Sequence, residues 1–301
     1  MKKFIIITTI QQPTKATLKF ASMKDWNLIV VGDKKTPHKD YYNINCTYLS
    51  PHDQQELYPK ISDILGWNTI QRRNIGFIYA YHNGADIIAT VDDDNIPYDD
   101  WGTDLYVGKE IVVDLWESKN GIFDPLSVTN YSNLWHRGYP IEKVVDKNEV
   151  IYLGKNKRTV LVQADLWDGD PDIDAMCRLA YKPLVKFSID KPYASVNISP
   201  FNSQNTFIHR NILPYYMVIP YVGRMDDIWG SYNLYNHFKD FVIYNRASVY
   251  QDRNKQDLIY NMEKELIGYR NTLDFINGKK LLSSINSSAK EAYDMYMEYF
   301  K

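Results

Sequence analysis

The sequence predicts an α/β fold whose central sheet is mostly parallel and flanked by helices, and three observations predict it. Apolar runs at residues 4–8, 26–31 and 86–91 have the length and β-branched content of buried strands. Helical spacing lies between them, so strand and helix alternate through the first hundred residues. The runs end on Thr, Gly or Asp, and in such sheets ligands bind at the carboxyl ends of strands.

Phe4-Ile5-Ile6-Ile7 opens the first strand. The preceding lysines resemble the start of a signal peptide, but Thr8-Thr9-Ile10-Gln11-Gln12 ends the apolar run too soon for a signal core. A short helix over 14–23 follows Pro13. The second strand, 26–31, stops at Gly32-Asp33. Residues 53–65 read as one helix, with Leu57, Ile61 and Ile64 on one face. A helix over 73–82 ends at Asn83-Gly84, and the strand at 86–91 runs into Asp92-Asp93-Asp94.

From 98 to about 205 the pattern is less regular and rich in Trp, Asp, Pro and Gly, which predicts short strands and long functional loops. A strand is expected at 205–209 and a helix at 224–237, after the Gly223 break. Leu258, Met262, Leu266 and Leu273 mark a helix over 257–275. A last amphipathic helix over 289–300 should pack on the body. Its Glu291, Asp294 and Glu298 argue against anionic lipid.

Composition narrows the function. The 301 residues are 45% hydrophobic and 24% charged, which suits a globular core. A net charge of −2 shows no basic excess for nucleic acid. No apolar stretch approaches the roughly 20 residues of a spanning helix. Cys46 and Cys177 are too few for a disulfide framework, so reduced thiols and a cytoplasmic setting are expected.

The acidic triplet points furthest toward chemistry. Three adjacent carboxylates past a buried strand repel one another unless a divalent cation or solvent neutralises them. Such a cation, Mn²⁺ or Mg²⁺, could hold the diphosphate of a sugar nucleotide as a leaving group. On an extended segment Asp92 and Asp94 share a face and hold the metal, with His209 a possible further ligand. Asp93 is then structural or a contact to the donor.

Other segments offer partners. Asp33 is either a turn residue or a reader of a uracil imide or ribose hydroxyl, with Thr8 nearby. Arg73 and Asn74 open a helix that suits a phosphate or ribose. Trp135, His136 and Arg137 form an aromatic–cationic segment: the ring faces suit a sugar and the Arg a diphosphate. In Asp168-Gly169-Asp170-Pro171-Asp172-Ile173-Asp174, Asp170 and Asp172 can bind sugar hydroxyls, or the segment can cap a helix. It lacks the length and terminal Glu of a calcium loop. Asp226 and Asp227 begin a helix, where the dipole favours acids. One of them is a candidate base for an acceptor hydroxyl, in an inverting displacement.

Taken together these segments resemble the glycosyltransferase-like domain of the STELLO family, from residue 3 to 271. The likeness rests on Ile7-Thr8-Thr9-Ile10, Val30-Val31-Gly32-Asp33, Arg73-Asn74-Ile75-Gly76 and Asp92-Asp93-Asp94-Asn95. It continues through Leu134-Trp135-His136-Arg137-Gly138-Tyr139-Pro140, Asp168–Asp174, Pro200-Phe201-Asn202-Ser203-Gln204-Asn205-Thr206 and Gly223-Arg224-Met225-Asp226-Asp227-Ile228-Trp229. A more distant likeness is to the reversibly glycosylated UDP-arabinopyranose mutases, whose modified arginine matches Arg137. The resemblance implies a GT-A fold, a nucleotide-sugar donor, most often a UDP-sugar, and a hydroxyl-bearing acceptor such as a glycan. Residues 1–100 then form the nucleotide-sugar-binding half, 101–250 the acceptor and catalytic half, and 251–301 a helical extension. The rival readings are a mutase or self-glycosylating protein using Arg137, and a non-catalytic scaffold.

Overall fold

The apolar run after the lysines forms β1 (Lys3–Thr9), and every residue beyond Lys3 is buried. Its side chains alternate between two cores: Phe4 and Ile6 enter one, Ile5 and Ile7 the other. Each fully buried apolar side chain of this size contributes about 1.5–3 kcal/mol, so the run belongs at the centre of a sheet covered on both faces. The computed structural model describes residues 1–253 and 255–301.

Thr14 caps α1 (Lys15–Ala21) by accepting the Thr17 N–H. β2 (Asn27–Gly32) lies parallel to β1. After the single turn α2 (His38–Tyr41), β3 (Thr47–Leu49) pairs parallel with β2. The helix expected over 53–65 is two helices, α3 (Pro51–Leu57) and α4 (Pro59–Leu65). Pro59 has no N–H to continue the first helix but suits the first turn of the next, so the chain breaks at Tyr58. α5 (Arg73–His82) packs on β1 and β2 and leads to β4 (Ile87–Val91), parallel to β1.

After the short β5 (Asn95–Pro97) come three long strands where short ones were expected: β6 (Glu110–Ser118), β7 (Val150–Thr159) and β8 (Val162–Gly169). β7 is mostly exposed and carries Gly154, Lys155, Lys157 and Arg158, so no burial pattern marks it as a strand. Next are α6 (Ala175–Tyr181), β9 (Tyr193–Ser195) and β10 (Asn205–His209). The helix expected over 224–237 opens as a 3₁₀ turn, Gly223–Met225, and is regular only as α7 (Asp226–Leu234). β11 (Val242–Gln251) and the helices α8 (Leu258–Ile276), α9 (Leu282–Ile285) and α10 (Ser287–Glu298) complete the chain.

The fold is mixed α/β. One sheet of eleven strands has the order β3-β2-β1-β4-β10-β8-β11-β9-β6-β7, with β5 on β11. β3, β2, β1 and β4 form the continuous parallel block expected of the first hundred residues, and β8 with β11 and β6 with β9 are parallel pairs farther along. β10 enters antiparallel between β4 and β8. Antiparallel neighbours need no crossover helix, which is why helical periodicity fades in the middle of the chain. α8 packs against α6, α7 and the Gly223–Met225 turn, and α10 packs on α4. Among the described residues, no helix is long and apolar enough to cross a membrane.

Candidate active site

Parallel pairing aligns Thr9 with Gly32 and places the end of β4 beside them. A cleft of two chambers opens at these carboxyl ends. The smaller, about 240 Å³, is lined by Thr8, Thr9, Asp33, Arg72 and Asp93. The larger, about 440 Å³, is lined by Asp92, Arg137, Asp172, Asp226, Asp227 and Arg253. Asn68, Thr69 and Ile70 line both and separate them.

Asp92 lines the larger chamber and Asp93 the smaller, with Asp94, next in the chain, outside both linings. The triplet turns rather than extends, with the Asn95 N–H donating to the Asp92 carbonyl at 3.3 Å. The alternation expected of an extended segment therefore does not apply, and the three carboxylates find separate surroundings. Asp92 pairs with Arg73 at 2.5 Å. Asp93 accepts the Thr9 hydroxyl at 2.5 Å, and burial raises its carboxyl above the ordinary range. Asp94 is pushed up to about 7 by burial and then by Asp92. Its Oδ1 is buried without a hydrogen-bond partner.

A divalent cation fits Asp92 and Asp94 on those grounds: it would satisfy the orphaned oxygen and relieve the repulsion. Among the described residues no three His, Cys, Asp or Glu groups cluster for a metal, so remaining ligands would come from a bound diphosphate and water. His209 is not among them. It pairs with Ile87 at the start of β4, whereas the triplet follows Val91 at its end. Four residues of strand, roughly 13 Å, lie between.

On the smaller side, Asp33 accepts the Lys34 N–H at 2.7 Å and the Thr69 N–H at 3.1 Å. It thus ties the end of β2 to the divide while lining the chamber. Arg73 does not line the cleft. Fully buried, it bonds Ser203 at 2.6 Å and Asp92, so it positions the acid instead of a ligand. Asn74 is also buried: its amide exchanges hydrogen bonds with the Val218 backbone at 2.8 and 2.9 Å. Both residues project from the first turn of a helix whose start is covered by the 203 and 218 segments.

The larger chamber is organised by Arg137. Its guanidinium donates to Asp172 at 2.8 Å, to Asp227 at 3.0 Å and to the Arg224 carbonyl, and lies 3.8 Å from Asp226. Burial alone would lower its pKa, but Asp172 and Asp227 raise it well above the ordinary value. Gly138, with φ +76°, packs against Ile228, where a Cβ would collide with the Ile228 side chain.

Asp226 and Asp227 stand at the start of α7 without capping it. Asp227 accepts from the Ser203 N–H at 2.8 Å and hydroxyl at 3.0 Å as well as from Arg137. Burial would raise it, yet Arg137 holds it below the usual carboxylate range. Asp226 accepts from Gln71 at 2.9 Å and from the Asp227 N–H at 3.0 Å. Burial and then Asp227 push it up to about 7. The turn presenting them depends on Gly223, whose φ is +62° and where a Cβ would strike the Lys264 carbonyl.

Three expected contacts with a sugar or acceptor lie elsewhere. Trp135 is core, its Nε1 donating to Asp174 at 2.6 Å. His136 is buried edge-on to Trp167, with Nδ1 at 2.8 Å from the Arg137 carbonyl. Asp170 pairs with Arg178 outside the cleft lining. Asp172 does line the cleft, where Arg137 and Asn202 hold it. Asp174 caps α6 through the Cys177 N–H at 2.8 Å. An aromatic segment flanking an Arg packs inward here because the Arg itself is the buried hub.

Sequence reasoning missed Gln71, Ser203, Arg253 and the α8 residues Tyr260, Asn261 and Lys264, all of which line the larger chamber. Only Ser203 lay in a segment with a readable signal, Pro200–Thr206. The others reach the cleft through long-range packing.

No protein-family model matches the chain. Over 227 residues, 69% of its length, the chain is 26% identical to the probable glycosyltransferase STELLO2 of Arabidopsis thaliana and 24% identical to STELLO1 of the same plant. Those alignments span 30% and 29% of the two plant proteins. Among solved structures, the chain is similar to glucosyl-3-phosphoglycerate synthase from Mycobacterium tuberculosis in complex with UDP, with a TM-score of 0.46 and 12% identity, covering 92% of this chain and 80% of that one. A second structure of that enzyme, with Mn²⁺, UDP-glucose and phosphoglyceric acid, gives the same TM-score and coverage at 11% identity. The likeness to the STELLO glycosyltransferase-like domain read from the motifs is thus a measured similarity over more than two thirds of this chain.

Proposed function

We propose that this protein is a GT-A glycosyltransferase that moves a sugar from a UDP-sugar to a hydroxyl acceptor in an inverting, metal-dependent reaction. The observation that carries the reading is the arrangement of the cleft. Asp92 and Asp93, just past β4, line one chamber each, and a further acid, Asp226, lies in the larger one. The similarity to the STELLO proteins supports it.

The nucleoside belongs in the smaller chamber. Each Asp33 oxygen there accepts one backbone N–H and keeps a second lone pair, suited to a uracil imide N–H or a ribose hydroxyl. Asp92 and Asp94 would hold Mn²⁺ or Mg²⁺, which when bound neutralises the diphosphate as leaving group. Arg73 holds Asp92 in place from behind. The sugar then lies in the larger chamber, facing Asp226.

Asp226 is the base. A carboxylate raised to about 7 is ionised often enough near neutrality to act, and basic enough to take a proton from a hydroxyl attacking the anomeric carbon. Asp227 and Asp172 are held by Arg137 and shape the chamber. Durable glycosylation of Arg137 is not favoured, because its guanidinium is committed to two carboxylates and a carbonyl. A cytoplasmic setting suits the two free cysteines.

The test is a screen of nucleotide sugars for Mn²⁺-dependent binding and slow hydrolysis, with Asp33→Ala as the control. UDP-sugars should bind, and the variant should lose affinity with little loss of melting temperature. Equal binding in EDTA would remove the metal from the reading, and lost stability with unchanged UDP affinity would make Asp33 a turn residue.

A further inference from the structure

Arg253 and Lys264 belong to no role described so far, yet both line the larger chamber. The Arg253 side chain is 9% exposed. Its nearest carboxylates, Asp170 and Asp172, are at 3.8 and 4.0 Å, beyond hydrogen-bond reach. Its Nε and Nη2 are buried without hydrogen-bond partners. A buried guanidinium with idle N–H groups costs stability unless a ligand completes it. Lys264 projects from α8, near the Tyr260 ring at 5.2 Å, and forms no ion pair among the described residues.

We infer that these two cations form an anion subsite for a phosphate group carried by the acceptor. The inference rests on the glycosyltransferase reading and adds the class of acceptor. The chamber's other cations are engaged: Arg137 by Asp172 and Asp227, Arg224 by Glu265 at 2.9 Å. A guanidinium and an ammonium together match a dianion, which a phosphate monoester is near neutral pH and a carboxylate is not. Both lie in the chamber that holds Asp226 and not in the one that holds Asp33. An acceptor anchored there by its phosphate has its hydroxyl within the same chamber as the base.

The donor's diphosphate is the other source of such an anion, and calorimetry separates the two. Glycerol 3-phosphate is titrated into the protein saturated with UDP and Mg²⁺, and UDP is titrated separately with Mg²⁺. Wild type should bind glycerol 3-phosphate but not glycerol. Lys264→Gln, an exposed change that leaves the fold intact, should weaken that binding by about tenfold or more, the loss of one charge-assisted hydrogen bond. Arg253→Gln should weaken it at least as much. The UDP affinity of Lys264→Gln should stay within about threefold of wild type. Equal losses for UDP and glycerol 3-phosphate would assign the pair to the donor and overturn the inference, as would no binding of glycerol 3-phosphate by wild type. Failure of wild type to bind UDP, with glycerol 3-phosphate binding still lost in Lys264→Gln, would sink the donor reading and leave the anion subsite standing.

Discussion

Asp226 and Asp227 are neighbours at the start of α7, and burial acts on both, yet with opposite net results. Arg137 and Ser203 hydrogen-bond Asp227, whereas Asp226 accepts from Gln71 and one backbone N–H and has Arg137 only at 3.8 Å. Replacing Asp226 with Asn should therefore cut turnover by roughly a hundredfold or more and leave UDP affinity nearly intact. Wild-type turnover should rise with pH through about 7, and the variant should lose that rise. The sign of the stability effect follows from the same shift. The folded state keeps the Asp226 proton from pH 3.8 up to about 7 while the unfolded chain has lost it, so this residue makes stability fall as pH rises through that window. Asp226→Asn should then melt no lower than wild type at pH 8, by calorimetry. Arg137 behaves oppositely. Arg137→Met strands Asp172 and Asp227 as buried charges and should cost about 3–5 kcal/mol in denaturant unfolding. Intact mass after incubation of wild type with UDP-sugars should show no adduct on Arg137. A stable hexose or pentose there would favour the self-glycosylating reading.

The elements position these residues through a few backbone constraints. The 3₁₀ turn Gly223–Met225 aims the start of α7 into the cleft and lies under α8. Gly223→Ala forces both a left-handed φ and a collision with the Lys264 carbonyl, so the turn must shift. The expected cost is about 1–3 kcal/mol in thermal unfolding, with lower turnover because Asp226 moves with the turn. Unchanged stability would mean that α8 can give way. α8 was legible as a helix from its leucine spacing, but its role as a cleft wall was not. Its first-turn Tyr260 and Asn261, and Lys264 beyond, are polar or exposed residues that periodicity assigns to solvent. The split between α3 and α4 was legible in Pro59, which the single-helix reading passed over because Leu57, Ile61 and Ile64 keep helical spacing across it.

At the scale of the molecule, ligand binding should couple to stability. If UDP and metal bind only the folded cleft, a hundredfold excess over Kd should add about 2.7 kcal/mol. The melting temperature should rise with UDP and Mn²⁺ together, and little with UDP in EDTA. Asp94→Ala should abolish the metal-dependent part. A rise of equal size in EDTA would show that Asp92 and Asp94 hold the donor without a cation.

Local order along the chain determined the strands β1, β2 and β4, the helix α5, and the carboxyl-end location of Thr8, Asp33 and the acidic triplet. Each rests on short-range facts: apolar runs, helical spacing, a Pro or a Gly at a boundary. The motifs also placed the chain beside the STELLO proteins. What only the tertiary structure decided is which polar groups are spent on the protein itself. Arg73, Asn74, Trp135 and His136 have the chemistry of ligand-binding groups, but Ser203, Val218, Asp174 and the Arg137 carbonyl consume it. Arg253 and Lys264 carried no signal, yet packing delivers them to the cleft, Arg253 with buried N–H groups that no hydrogen bond uses. Buried polar groups must find partners, and those partners lie up to about a hundred and fifty residues away in sequence. Residue type and spacing therefore determine what a side chain can do, and long-range packing decides whether any of that capacity is left for a ligand.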